Sequence, residues 1–140
     1  MYSEIEKRSG ANITWIFDVE GEIGFRERES RILEELSSLT GMVLATGGGA
    51  VIRENNRSIL KKNGYVVYLN APIERLVERT SHDHNRTRLK VENPREAIEK
   101  MDLERECFYQ DIANVVRITE NKKRRLGVNE SEWEDRQIML

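Results

Sequence analysis

The residues with chemical potential in this sequence are a run of glycines and a set of arginines. Gly47-Gly48-Gly49 follows the apolar segment Met42-Val43-Leu44-Ala45-Thr46. Consecutive glycines let a ligand approach the backbone, and their N–H groups can point at an oxygen. The competing reading is a plain tight turn. Arg26, in Gly24-Phe25-Arg26-Glu27-Arg28-Glu29, and Arg105, in Glu104-Arg105-Glu106-Cys107-Phe108-Tyr109, both fall on helical patterns. A planar guanidinium binds a carboxylate through paired N–H groups. Two of them converging on the glycine turn would hold a small hydroxy acid. Each taken singly also fits an exposed helix arginine in an i, i+4 ion pair.

The stretch Ser81-His82-Asp83-His84-Asn85-Arg86-Thr87-Arg88 is rich in donors. It reads as a lid over a polyanion, with Arg86 as the charge stabiliser. His82 and His84 lack a third ligand nearby, which argues against a metal site there. Cys107, mid-helix beside Phe108, reads as a buried, inert thiol. The basic run Lys122-Lys123-Arg124-Arg125 has no interleaved aromatic residues and reads as a solvated tail rather than a nucleic-acid contact.

These groups need a frame. A helix is expected over Met1–Arg8, ended by Gly10, and a short one from an Asn12 cap through Phe17. A longer helix is expected over Gly21–Leu39, with Gly41 just past its end. Met42–Thr46, bounded by glycines, reads as a buried parallel strand. A helix over Asn55–Asn63, a strand over Tyr65–Leu69 and a helix opened by Pro72 follow. Ser81–Val91 is polar and aperiodic, so a loop. Asn93-Pro94 opens a helix to about Ala113, and Val115–Ile118 is a third strand. Asn129–Leu140 is expected to form one short helix carrying Trp133. Strands alternating with helices give an α/β class with a parallel sheet, whose ligands belong beyond the carboxyl ends of the strands.

Composition narrows the class. The chain has 140 residues, enough for one domain, with 34% charged residues and a net charge of −2. No global field favours nucleic acid or an anionic membrane. The single cysteine cannot form an internal disulfide, so a reducing cytoplasmic compartment is the expectation. Neither a signal peptide nor a membrane span is legible.

Taken together, the motifs resemble the shikimate kinase family of P-loop kinases. The resemblance rests on Glu4-Ile5-Glu6-Lys7-Arg8-Ser9-Gly10, Phe17-Asp18-Val19-Glu20-Gly21-Glu22 running into Gly24–Glu29, Val43–Val51, and Glu104-Arg105 with Tyr109 and Ile112-Ala113. It implies an incomplete three-layer α/β/α P-loop-kinase-like fold over residues 1–118, its parallel sheet lacking the family's first two strands. Residues 119–140 would be a divergent polar tail. By resemblance, Arg26 and Arg105 grip the carboxylate of shikimate, and Gly48 and Gly49 touch its oxygens through the backbone. Arg86 is the lid arginine at the transferring phosphate, and Arg79 lies against the adenine of ATP. The reaction implied is ATP-dependent phosphorylation of the shikimate 3-hydroxyl, in the chorismate route to aromatic amino acids.

The family's phosphate loop, G-x-x-x-x-G-K-[ST], is absent from these residues. Of the family's acidic motif, which helps hold Mg²⁺, the second aspartate aligns with Tyr2 and the first falls before Met1. The sites for ATP and Mg²⁺ are therefore expected to be largely missing from an N-terminally truncated chain, with little or no turnover. Alternatives are a non-catalytic shikimate-binding or regulatory module, or a non-functional remnant. The missing central strand would leave Met42–Thr46 and Tyr65–Leu69 standing apart or pairing directly, with self-association through exposed strand edges.

Overall fold

The computed structural model describes residues 1–81, 93–119 and 138–139, excepting the side chains of 79–81, 94 and 138–139. Helix α1 spans Tyr2–Ser9 and stops at Gly10, whose left-handed backbone sends its N–H to the Glu6 carbonyl at 2.9 Å. Arg8 closes an i, i+4 pair with Glu4 and reaches Glu35 at 2.5 Å, tying α1 to the next helix. That helix, α2, spans Ile13–Ser37. Asn12 caps it, its side-chain oxygen accepting the Trp15 N–H at 2.8 Å.

The expected separate helices over residues 12–17 and 21–39 are one element with a break at Gly21 (φ 67°, ψ −176°). That conformation belongs to glycine alone. Arg28 spans the break with two bonds to Glu20, at 2.6 and 2.7 Å. The helix thus changes direction without coming apart.

After α2 the chain passes through residues 42–46 to the glycine run. The expected strand does not form: Ala45 makes one isolated bridge, and Met42 and Val43 are exposed while Leu44 and Thr46 are buried. A short 3-10 helix over Gly48–Val51 leads to α3, Glu54–Asn63. Strand β1 is Val67–Asn70, α4 is Ile73–Ser81, α5 is Pro94–Ile112 and β2 is Val115–Ile118. Asn93 caps α5 with Pro94 in its first turn, and β2 has the expected boundaries.

β1 and β2 pair in parallel, Val67 opposite Val115 through Asn70 opposite Ile118. The other neighbour of β1 is not the 42–46 segment but β3, Ile138–Met139, which runs antiparallel to it. A two-residue strand therefore stands where a terminal helix was expected to continue. The remainder of that expected helix, Trp133 included, lies outside the described residues, as does the loop over residues 82–91.

The core lies in two main clusters. Leu33, Leu44, Val51, Leu60, Val66, Tyr68, Tyr109 and Ile112 join the sheet to α2, α3 and α5. Ile5, Ile16, Phe25 and Ile32 join α1 to both halves of α2. A smaller cluster of Ala71, Leu76 and Ile98 seats α4 on α5. No helix among the described residues is long and apolar enough to cross a membrane. Cys107 is exposed rather than buried.

Gly21→Ala should destabilise the chain by about 1–3 kcal/mol, measured by urea unfolding. Nothing lies within 4 Å of where the new methyl would sit, so the loss is one of backbone conformation. An unchanged midpoint would show that the break is not required.

Candidate acceptor site at the glycine turn

The site is built on the 3-10 helix, which the chain enters from Gly47 with extended backbone (φ −73°, ψ 152°). The second half of α2 runs beneath this turn and α5 runs beside it. Arg26, on α2, is almost wholly buried, and its guanidinium lies against Gly49. A Cβ on Gly49 would overlap both terminal nitrogens and the central carbon of that guanidinium. Glycine is needed here for close approach, not for an unusual φ.

Glu29, one turn further along α2, holds the guanidinium in place. The Arg26 Nη1 donates to Glu29 Oε2, and Nε reaches Glu22 Oε1 at 3.5 Å. Glu29 is fully buried, and its Oε1 has no hydrogen-bond partner. Burial pushes its carboxyl above the ordinary range, against the opposing pull of Arg26, Arg105 and Arg53. Sequence reasoning passed over Glu29. The signal was present: it shares a helix face with Phe25, Ile32 and Leu33, where a carboxylate needs a reason to be.

From the other side, the Tyr109 hydroxyl donates to the Gly48 carbonyl at 2.7 Å. Burial raises the phenol's pKa, and the nearby Arg105 and Arg26 cations oppose the rise. Tyr109 stacks on Tyr68 with ring centroids 4.9 Å apart, so the turn is anchored to β1 through aromatic packing. Arg105 lies one turn before Tyr109 on α5, half-buried, its charge felt by both Tyr109 and Glu29. The structure therefore brings Arg26, Gly48, Gly49 and Arg105 to one place.

Tyr2, at the position of the expected acidic residue, sets its phenol against Gly47 and its ring edge-on to Phe25. Among the described residues no group of three His, Cys, Asp or Glu side chains could hold a metal ion. Arg79 falls on α4, with its side chain outside what is described, and Arg86 lies outside the described residues altogether. A second hollow lies at the far end of α2, beside Leu36, Thr40, Met42, Asn63 and Tyr65, and no charged side chain lines it.

The α/β frame, with its glycine turn between α2 and α5, is that of an incomplete P-loop-kinase-like fold. The family model for shikimate kinase matches residues 1–133. The chain belongs to the shikimate kinase family. It is 51% identical over 127 residues to a shikimate kinase of Pseudomonas aeruginosa (strain LESB58), covering 91% of this chain and 74% of that protein. It is 54% identical over 128 residues to one of Pseudomonas paraeruginosa, covering 91% of this chain and 74% of the relative. Among solved structures it is similar to shikimate kinase from Acinetobacter baumannii in complex with shikimate. The TM-score is 0.84 at 45% identity, over 86% of this chain and 68% of that one. Shikimate kinase from Bacteroides thetaiotaomicron matches with a TM-score of 0.75 at 28% identity, over 82% and 67% of the two chains.

Two outcomes follow from Glu29. Glu29→Ala leaves the Arg26 cation buried without its partner and should cost about 3–5 kcal/mol by urea unfolding. Against a Glu29→Gln reference, the wild type should lose stability as pH rises above the ordinary value of 4.5. The folded chain retains a proton that the unfolded chain has already released, so raising pH favours unfolding until the folded-state pKa is passed. A difference curve that is flat or rises with pH would contradict the raised carboxyl.

Proposed function

We propose that this chain binds shikimate at the Gly48–Gly49 turn, as the acceptor half of the ATP-dependent phosphorylation of the shikimate 3-hydroxyl. The observation that supports this most is the meeting of Arg26, from α2, and Arg105, from α5, at one glycine turn bearing a pinned carbonyl. The carboxylate of the acceptor would lie against the two guanidiniums, with Gly48 and Gly49 backbone groups against its ring oxygens. By the family pattern, Arg86 is assigned to the transferring phosphate and Arg79 to the adenine side.

ATP would supply the phosphoryl group, and Mg²⁺ would neutralise its developing charge. The sequence carries no G-x-x-x-x-G-K-[ST], the pattern that would hold the phosphates. The chain's own contribution is positional: it fixes the acid end of the acceptor so that one hydroxyl has a defined direction.

Phosphoryl transfer depends on positioning and charge neutralisation, and losing a single electrostatic donor costs ~10²–10³ in rate. The 140-residue chain is expected to bind shikimate by calorimetry and to show no turnover in a coupled assay with MgATP. Arg26→Ala and Arg105→Ala should each weaken shikimate binding by ~1.5–3 kcal/mol, the scale of a charged hydrogen bond. Absence of shikimate binding by the folded chain would overturn the acceptor-site reading. Turnover at a rate typical of kinases would overturn the expectation that the chain alone is inactive.

A further inference from the structure

Every backbone carbonyl from Gly47 to Ile52 accepts a hydrogen bond. Gly47 and Gly49 accept from the Ala50 and Ile52 N–H groups, at 3.0 and 3.1 Å, within the turn itself. Gly48 accepts from the Tyr109 hydroxyl at 2.7 Å. The other three are held by two consecutive residues of α3. Asn56, fully buried, donates its Nδ2 to the Ala50 carbonyl at 3.0 Å. Arg57 donates its Nη1 to the Val51 and Ile52 carbonyls at 2.7 and 3.0 Å. A carbonyl and the N–H that follows it share one rigid plane, so a donor that fixes the first also fixes the second.

Arg57 also ties the exit of the turn to α5. Its guanidinium lies over the Phe108 ring, with Cζ 4.2 Å from the ring centroid. Phe108 packs against the main core cluster and adjoins Tyr109, the residue that holds Gly48. Neighbouring residues of α5 therefore grip both ends of the turn: Tyr109 its entrance directly, Phe108 its exit through Arg57. A planar guanidinium suits this double duty, because its edge donates while its face rests on an aromatic ring. Arg57 is only half-buried, so its replacement opens no large hole in the core.

We propose that Arg57 is a positioning residue of the acceptor site. It acts through the Val51 and Ile52 carbonyls, holding the exit of the turn so that Gly48 and Gly49 keep their place beside Arg26. The inference rests on the shikimate-binding reading above. The acid meets Arg26, Arg105 and the turn, while Arg57 sets the angle of the turn from behind and contacts no ligand atom.

The test uses two readouts on the 140-residue chain. In amide NMR spectra without ligand, Arg57→Lys should move the Gly48 and Gly49 resonances and leave those of Val67–Asn70 in place. In calorimetry, Arg57→Ala should weaken shikimate about tenfold, one charged hydrogen bond expressed as affinity. Arg57→Lys should lose less, since the amine keeps the charge and a donor but not the flat face on Phe108. Phe108→Leu should weaken shikimate in the same direction and add nothing to Arg57→Ala, as expected of two residues acting as one unit. Leu76→Ala, in the small cluster between α4 and α5, lowers stability away from the turn and should leave affinity within about twofold. Unmoved glycine resonances, or shikimate binding by folded Arg57→Ala within twofold of the wild type, would overturn the role of Arg57 alone. So would losses from Arg57→Ala and Phe108→Leu that simply add, or an equal loss in Leu76→Ala. If Arg57→Ala has no cooperative melt, the resonances and affinity of Arg57→Lys decide. A folded wild type that binds no shikimate would overturn the acceptor site and this proposal with it.

Discussion

Placing the Arg26 guanidinium under Gly49 obliges the protein to bury a carboxylate as well. An unpaired guanidinium out of water would cost several kcal/mol, and Glu29 is the partner that answers it. The pair is not free: two charges leave water, and Glu29 keeps one oxygen without a partner. Such a pair adds little net stability compared with well-packed apolar groups. What it adds is position. The spacing of Arg26 and Glu29 on one helix face fixes how the guanidinium plane meets the turn, and the turn fits only because residue 49 has no side chain.

The opposite side of the turn is fixed by different means. The Tyr109 hydroxyl holds the Gly48 carbonyl, and the Tyr109 ring packs on Tyr68 in β1. Tyr68 in turn donates to Glu106 at 2.5 Å, which locks α5 against the strand. The turn is therefore held by charge from α2 and by aromatic packing from α5. Both supports reach into the same apolar cluster, since Leu33 and Tyr109 belong to it. Pocket geometry and core packing are not separable here.

Much of this was legible in residue types. Caps at Asn12 and Asn93, the stop at Gly10 and the strand Val115–Ile118 follow from local chemistry that needs no distant partner. Arg26 and Arg105 stood out as guanidiniums on helical patterns beside a glycine run, and the structure sets Arg26 against Gly49. The misses all involve partners remote in sequence. Met42–Thr46 has a strand's composition, yet a strand needs a neighbour, and β1 pairs with β2 and β3 instead. The pairing of Ile138–Met139 with β1 had no local signature. Cys107 next to Phe108 looked interior, but only Phe108 faces the core. Glu29 was hidden because a carboxylate near an arginine on a helix usually means a solvated pair, and burial is decided by what packs on top.

The break at Gly21 divides α2 into two lengths with different anchors. The first, with Ile16, packs on α1; the second, with Leu33, reaches the cluster shared with the sheet. Amide hydrogens in the two lengths therefore answer to different opening events. Those between Ile13 and Glu20 can exchange with solvent when the α1 packing loosens, while those around Glu29 and Leu33 stay closed until the larger cluster opens. What looks like one long helix should report two exchange regimes, and the slower one belongs to the half that carries the guanidinium.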